Sequence, residues 1–255
     1  MDQIVERGKP AEYGQELIKR RVRITTSFIS LRGKVILDFG SGNGAQTIEL
    51  AQQGCRIVAC DIDAADLAVL AAYVTANKVD NVTPTLYDGV KVPAADASFD
   101  AVVSYAVLEH VNDETNALAE IHRVLKDAGE FLIAVPNKWW VFETHGARLP
   151  LLPWNRVPFF SWLPGPIHAR FARARIYTKS GITRLLQQHG FDILDSCYMT
   201  APMDMVQSPA LKAFLRGVIF RHDRTRLPVV ATELFVHCRK SSSRPGEPLN
   251  DSRPR

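Results

Sequence analysis

The N-terminal half of the chain predicts an α/β fold, a mostly parallel sheet covered by helices on both faces. Three observations carry this. From Lys34 onward, short apolar runs alternate with stretches of helical pattern, the order that βαβ units require. The runs Val35-Ile36-Leu37 and Ile57-Val58-Ala59 are continuously apolar, as in strands buried on both faces rather than on one. A glycine-rich turn, Gly40-Ser41-Gly42-Asn43-Gly44-Ala45, separates the first such run from a helical one. In open α/β sheets that carboxyl edge is where ligands bind.

The elements follow in order. A first helix is expected over 13–28, with Lys19, Arg20, Arg21 and Arg23 forming a basic face. Strands are predicted at 35–37, 56–60, 82–87, 99–104 and 129–135, separated by helices at 45–53, 64–77 and 114–125. Pro84 lies inside the third strand, so that strand either includes it or begins after it. Regularity then breaks. Residues 137–176 are rich in Pro, Trp and Phe and lack either period, and a stretch of that length inside a compact domain is usually a lid or binding loop. Order resumes with a helix at 180–189 that stops at Gly190, followed by a strand at 191–199. A second insertion occupies 200–228, and 232–238 closes the sheet. The expected organisation is one domain over 1–240, with substrate-cap insertions at 137–178 and 200–228, and a disordered tail over 241–255.

Composition narrows the functional classes. The chain has 255 residues, enough for one large domain. No apolar run approaches the roughly 18 residues that span a bilayer, and the N-terminus has no basic-then-apolar signal pattern. A cytoplasmic protein, in contact at most with a membrane surface, is the expectation. Cys55, Cys60, Cys197 and Cys238 form no CxxC pair and have no His at ligand spacing, so reduced thiols are expected and no metal. A net charge of +4 does not by itself imply nucleic acid.

The glycine turn alone is ambiguous. It satisfies the loose dinucleotide pattern G-x-G-x-x-G/A, and Asp61 lies about twenty residues on, where an NAD-binding acid would sit. Asp38 argues otherwise, because a fixed negative charge two positions before Gly40 repels a pyrophosphate. Further along, five segments occur in a telling order: Val35-Ile36-Leu37-Asp38-Phe39-Gly40-Ser41-Gly42-Asn43-Gly44, Val58-Ala59-Cys60-Asp61-Ile62-Asp63, Tyr87-Asp88-Gly89, Val102-Val103-Ser104-Tyr105-Ala106-Val107-Leu108-Glu109-His110-Val111, and 125–137. Together these closely resemble the motifs of class I S-adenosylmethionine (SAM)-dependent methyltransferases, most of all the ubiquinone/menaquinone-biosynthesis type. The resemblance covers roughly 34–137.

This resemblance implies a Rossmann-like, seven-stranded sheet and SAM as cofactor, with S-adenosylhomocysteine as product. It implies a SAM site built by Asp38, Gly40, Ser41, Gly42, Gly44, Asp61, Ile62, Asp88, Gly89 and Ser104. Asp61 would receive the ribose hydroxyls, a role suited to a carboxylate with two acceptor oxygens; Asp63 is better placed to cap the helix from Ala64. Ile62 would pack on adenine, Asp88 would meet its amino group, and Ser104 with Tyr105 and Ala106 would lie near the methionyl portion. His110 either faces the substrate or makes a structural hydrogen bond at a helix start. Tyr87 departs from the small residue usual before the third acid, which weakens the assignment of Asp88.

On the acceptor side, His145 follows Glu143 and precedes Gly146 in the first insertion. An imidazole there suits deprotonation of a hydroxyl, so His145 is the candidate base, the alternative being that it ties the loop together. Residues 138–184 hold eight basic residues against one acid, Glu143, beside Trp139, Trp140, Phe142, Trp154, Phe159, Phe160 and Trp162. Arg216, Arg221, Arg224 and Arg226 extend the bias into the second insertion. Such a set recognises an anionic, partly apolar small molecule or lipid-linked acceptor, or an acidic lipid surface, or is simply a solvated face on an auxiliary core. Methyl transfer to oxygen is the expectation. The other classes are an NAD(P)-dependent oxidoreductase and a non-catalytic SAM-binding partner subunit.

Overall fold

The computed structural model describes residues 15–142 and 158–242. Eight strands form one sheet: β1 (Val35–Phe39), β2 (Arg56–Asp61), β3 (Val82–Leu86), β4 (Phe99–Tyr105), β5 (Leu125–Pro136), β6 (Phe191–Thr200), β7 (Arg224–Thr225) and β8 (Ala231–Lys240). Their spatial order is β3-β2-β1-β4-β5-β8-β6-β7. Neighbours from β3 through to β5 are parallel. β8 runs antiparallel to both β5 and β6, and β7 antiparallel to β6. The sheet therefore has one strand more than the seven expected. The extra one is the two-residue β7, which pairs Tyr198 with Thr225 inside the stretch read from sequence as an insertion.

Helices α1 (Glu16–Phe28), α2 (Ala45–Ala51) and α3 (Ala64–Ala76) accompany the first strands; α4 (Glu114–Val124) precedes β5, and α6 (Lys179–Gln188) precedes β6. Alternation along the buried strands divides the core into two layers. On one face Leu37, Val102, Phe131 and Ile133 meet Leu118 and Ile121 of α4 and Ile182 and Leu186 of α6. On the other, Ile36, Ile57, Val103 and Leu132 meet Val22 and Ile24 of α1, Leu50 of α2 and Leu70 of α3. The period-2 alternation of a strand buried on both faces produces this division.

One boundary resolves an open choice and another differs from expectation. β3 begins at Val82 and includes Pro84; it lies at the sheet's edge, where a residue without an N–H is tolerated. β5 begins at Leu125, directly after α4, because Leu125 pairs with Phe99 before a register shift lets Glu130 pair with Ala101. The intervening Ala128 takes a left-handed backbone.

The described parts of the two insertions contain α5 (Gly165–Phe171) and α7 (Pro209–Val218). Asn137 joins them to the sheet. Its Nδ2 donates to the carbonyls of Pro228 and Ala231 at 2.7 and 2.8 Å, and its N–H to Thr232. Residues 243–255, most of the segment expected to be a tail, lie outside the described residues.

Candidate active site

The strand order reverses between β1 and β4, and in open α/β sheets the crevice beyond such a reversal is the ligand site. Here the two post-strand loops touch. Gly40 has φ +82°, and a Cβ there would lie 2.3 Å from Val107. Gly44 has φ +81° and faces Leu70 of α3 at 2.2 Å on the same measure. Both glycines are demanded by close approach of the protein to itself. At Gly42 the nearest such atom is Asp66 Oδ2, 4.0 Å away. Of the three, Gly42 is the one that borders open space.

Asp61, at the end of β2, organises this turn. Its Oδ2 accepts from the Gly42 N–H at 2.7 Å, and its Oδ1 from the Asp63 N–H at 2.9 Å. Each carboxylate oxygen keeps a further lone pair, so the group is immobilised yet retains acceptor capacity toward a diol. Asp63 caps α3, accepting from Ala65 and Asp66. Ile62 is 47% exposed, and a Cβ on Gly89 would lie 3.9 Å from its Cγ2. The two residues form an apolar shelf beside the Asp61 carboxylate. Asp88 is exposed and closes its own turn, accepting from the N–H groups of Val90 and Lys91 at 2.8 Å each. Those two bonds hold its carboxyl below the usual carboxylate range.

Asp38 is buried beneath the turn, where Thr47 Oγ1 donates to its Oδ2 at 2.6 Å. Burial pushes its carboxyl up to about 6, the Asp61 charge adding to the shift while the Thr47 hydroxyl and Arg21 oppose it. Ser104 is buried on β4, on the same sheet face as Val102. Tyr105, expected in the loop, is still in the strand. Its hydroxyl shares a 2.6 Å hydrogen bond with Thr25 of α1, and its ring packs on Phe235. Ala106 ends the strand with φ +57° and donates to Ala134 O at 2.9 Å. An alanine held there costs about 1–2 kcal/mol, and such strain clusters at functional turns. Cys60 accepts from Gly40 and Ser41 through its carbonyl, while burial pushes its thiol up to about 12, making it inert.

Comparison with known proteins bears on this crevice. Residues 37–133, the span from β1 through β5, match the family described as a methyltransferase domain. The chain is similar to that family over this span. It is 36% identical over 123 residues to the demethylmenaquinone methyltransferase of Corynebacterium efficiens, 48% of this chain and 50% of that protein. It is 30% identical over 128 residues to the ubiquinone biosynthesis O-methyltransferase of Pseudomonas aeruginosa, 48% of this chain and 55% of that protein. The chain thus spans about half the length of these relatives. Among solved structures, a SAM-dependent methyltransferase from Mesorhizobium loti aligns with TM-score 0.58 at 18% identity, covering 86% of this chain and 95% of that one. The [4+2]-cyclase SpnF aligns with TM-score 0.61 at 19% identity, covering 92% and 84%. These two likenesses show the fold alone, and the second bears a different activity in its name, since one fold hosts different chemistries. The oxidoreductase alternative finds no support in these matches.

On the other side of the crevice, several residues are placed differently from what the sequence suggests. His110 lies on a 3-10 turn, Leu108–His110, just past β4 and partly exposed at the carboxyl edge. His145, Glu143 and Trp154 lie outside the described residues. The basic face of α1 is split: Arg20 and Arg21 are buried, whereas Lys19 and Arg23 are exposed. Arg21 pairs through its Nε and Nη2 with Glu233 of β8 and sits 5.6 Å from the centre of the Tyr105 ring. Arg20 donates to Thr200 and to Phe220 O, and Arg23 holds Asp223 at 2.7 Å. Arg175 spans the loop after β4, donating to Val111 O at 2.6 Å and Leu108 O at 3.3 Å. Arg224 stacks on Phe28 at 4.3 Å, and Arg216 pairs with Asp204. Of the twelve basic residues counted in the two insertions, Arg175, Arg216 and Arg224 are thus engaged within the molecule.

Glu109 has no sequence signal that marks it out. It is completely buried next to His110, and burial pushes its carboxyl up to about 8, with the Glu233 charge adding and Arg21 and Arg175 opposing. Glu233 does carry a signal. It is an acid in the strand Thr232-Glu233-Leu234-Phe235-Val236, on the same face as buried Phe235. Among the described residues, no group of three or more His, Cys, Asp or Glu is placed to hold a metal ion.

Proposed function

We propose that this protein transfers a methyl group from SAM to a small-molecule, lipid-linked acceptor of quinone type, at oxygen. The observation that carries the cofactor end is the Asp61 carboxylate. It is fixed by two backbone N–H groups beside the open edge of Gly42 and the Ile62–Gly89 shelf. A diol on Asp61 places an attached flat, apolar base against Ile62 and Gly89, with Asp88 at its rim. Asp38, below the turn, supplies negative potential toward an ammonium group. Gly40, Ser41 and Gly44 shape the turn, and Ser104 closes the β4 side.

SAM supplies an activated methyl group with a thioether leaving group; the protein's part is alignment and exclusion of water. Alignment of this kind contributes up to roughly 7–11 kcal/mol. The relatives named for menaquinone and ubiquinone biosynthesis support a quinone-type acceptor. Exposed Trp139, Phe142, Phe159 and Trp162 supply apolar surface for its tail, and the basic residues of the insertions favour an anionic ring. A hydroxyl acceptor needs a base, and His145 is our candidate, with His110 as the second. Replacing His145 by Gln is expected to lower kcat about 10²–10⁴-fold; wild-type turnover across pH excludes it as the base. In this reading the enzyme works in the cytoplasm, touching the membrane from one side, and among the described residues no helix is long and apolar enough to cross it.

Isothermal titration of the full chain with SAM, S-adenosylhomocysteine and NAD tests the cofactor assignment. Binding of the first two, lost in Asp61→Ala, is the expected result; binding of NAD alone overturns it. Lipid and metabolite profiling of a deletion strain tests the acceptor, which is expected to accumulate one methylene lighter than its missing product.

A further inference from the structure

Helix α7 has no buried residue along its whole length. Leu211, Phe214 and Val218, spaced i, i+3 and i+7, are 50%, 59% and 62% exposed, and Ile219 continues their stripe past the helix end. Apolar residues at that spacing share one face of a helix. The helix is nonetheless firmly seated. Leu215 packs against the buried trio Trp140, Ala201 and Phe220. Arg216, on another side, donates to Pro202 O at 2.9 Å and to Asp204 at 2.7 Å. The stripe is therefore presented by a docked element, not by a loose one.

The segment that carries the stripe has one sign of charge. Residues 205–222 contain Lys212, Arg216 and Arg221 and no acid. The flanking acids are neutralised within the molecule, Asp204 by Arg216 and Asp223 by Arg23. Arg221 and Arg226, which follow the helix in sequence, are exposed. Aromatic side chains of the first insertion meet α7 through the same small core. Trp140 bridges the two, with its ring 5.7 Å from that of Phe142. Beyond it, Trp162 donates to Trp139 O at 3.2 Å and stacks edge-on with Phe159.

We infer that α7 is an interfacial helix that docks this enzyme on an anionic phospholipid bilayer, with Leu211, Phe214 and Val218 inserted among the acyl chains. Lys212 and Arg221 then lie at headgroup level, and the Trp139–Trp162 cluster lies where indole rings partition, between headgroup and hydrocarbon. Apolar insertion and attraction to anionic lipid together give reversible interfacial binding. A protein partner would have to match an apolar stripe in a segment whose charges are all positive, whereas a bilayer of acidic lipid presents that complement everywhere. The inference locates the membrane contact assumed in the functional reading, but its test uses no SAM and no acceptor, so the two fail separately.

The test is flotation of the full-length protein with vesicles of phosphatidylcholine alone, or mixed with phosphatidylglycerol. Binding is expected to the mixed vesicles, to weaken with added salt, and to fall at least about tenfold in Leu211→Ser/Phe214→Ser/Val218→Ser. A charge-reversed Lys212→Glu/Arg221→Glu variant is expected to lose the preference for phosphatidylglycerol. Unchanged circular dichroism and melting temperature in both variants show that the fold is intact. Failure of the wild type to float with mixed vesicles at low salt overturns the inference, as does a triple variant that floats like the wild type. So does a concentration-dependent dimer, seen by light scattering, that the triple variant abolishes, since a second copy then covers the stripe.

Discussion

Gly42 and Gly44 share a left-handed backbone but differ in what stands against them. A methyl group on Gly44 meets Leu70 at 2.2 Å, so α3 or the turn must move. Gly44→Ala is expected to destabilise the fold by about 1–3 kcal/mol through overpacking, read as a lower melting temperature. Gly42→Ala has room, and its fold cost is only the left-handed backbone, about 1–2 kcal/mol. Its effect is expected on SAM affinity by calorimetry, since its methyl projects into the crevice. Asp38 sets a pH dependence at the same scale. Its folded pKa, about 6, lies above the ordinary carboxylate value of 3.8. A neutral Asp38 therefore favours the folded state at low pH, and that contribution is lost as pH rises through about 6. The cationic end of SAM favours the ionised form, so SAM affinity is expected to rise over the same window. Asp38→Asn is expected to flatten that rise, as measured by titration calorimetry across pH.

At the scale of elements, α1 is held by its arginines as much as by its apolar face. The Arg21–Glu233 pair is about 10% exposed on each side, and removing one partner of such a pair costs about 3–5 kcal/mol, mostly by stranding the other charge. Arg21→Met is thus expected to lower stability by that amount in urea unfolding. Adding Glu233→Leu is expected to recover most of it, because a well-packed apolar pair of similar volume is often neutral. If both variants are equally destabilised, the pair does more than balance charge. The motif segments of β1, β2 and β4 are legible in sequence because local pattern and burial agree there. The burial of Arg20 and Arg21 is not, since their partners lie about two hundred residues away.

For the whole molecule, Asn137 is the junction at which the sheet meets both insertions. Its Nδ2 satisfies two carbonyls of the 228–231 segment, and its Oδ1 accepts from Trp139. Asn137→Ala leaves those carbonyls without a donor, and an expected loss of about 1–3 kcal/mol follows. The damage is expected on the acceptor side. KM for the acceptor should rise while SAM affinity holds, a split that steady-state kinetics and calorimetry distinguish. Parallel loss of both would mean that the insertions and the glycine turn form one unit.

The sequence by itself determined the α/β class, the order of the central strands, the glycine turn and the placing of Asp38, Asp61 and Asp88 at strand ends. Each of these follows from local periodicity and from short-range chemistry, and the methyltransferase match rests on the same segments. Only the tertiary structure decided which glycines yield to protein and which to open space, because that depends on Val107 and Leu70 arriving from other elements. It also decided the fate of the basic residues. A count of charges cannot separate an arginine aimed at solvent from one whose carboxylate partner comes from the far end of the chain. Burial of Glu109 and exposure of α7 belong to the same category, since both are set by how the layers close.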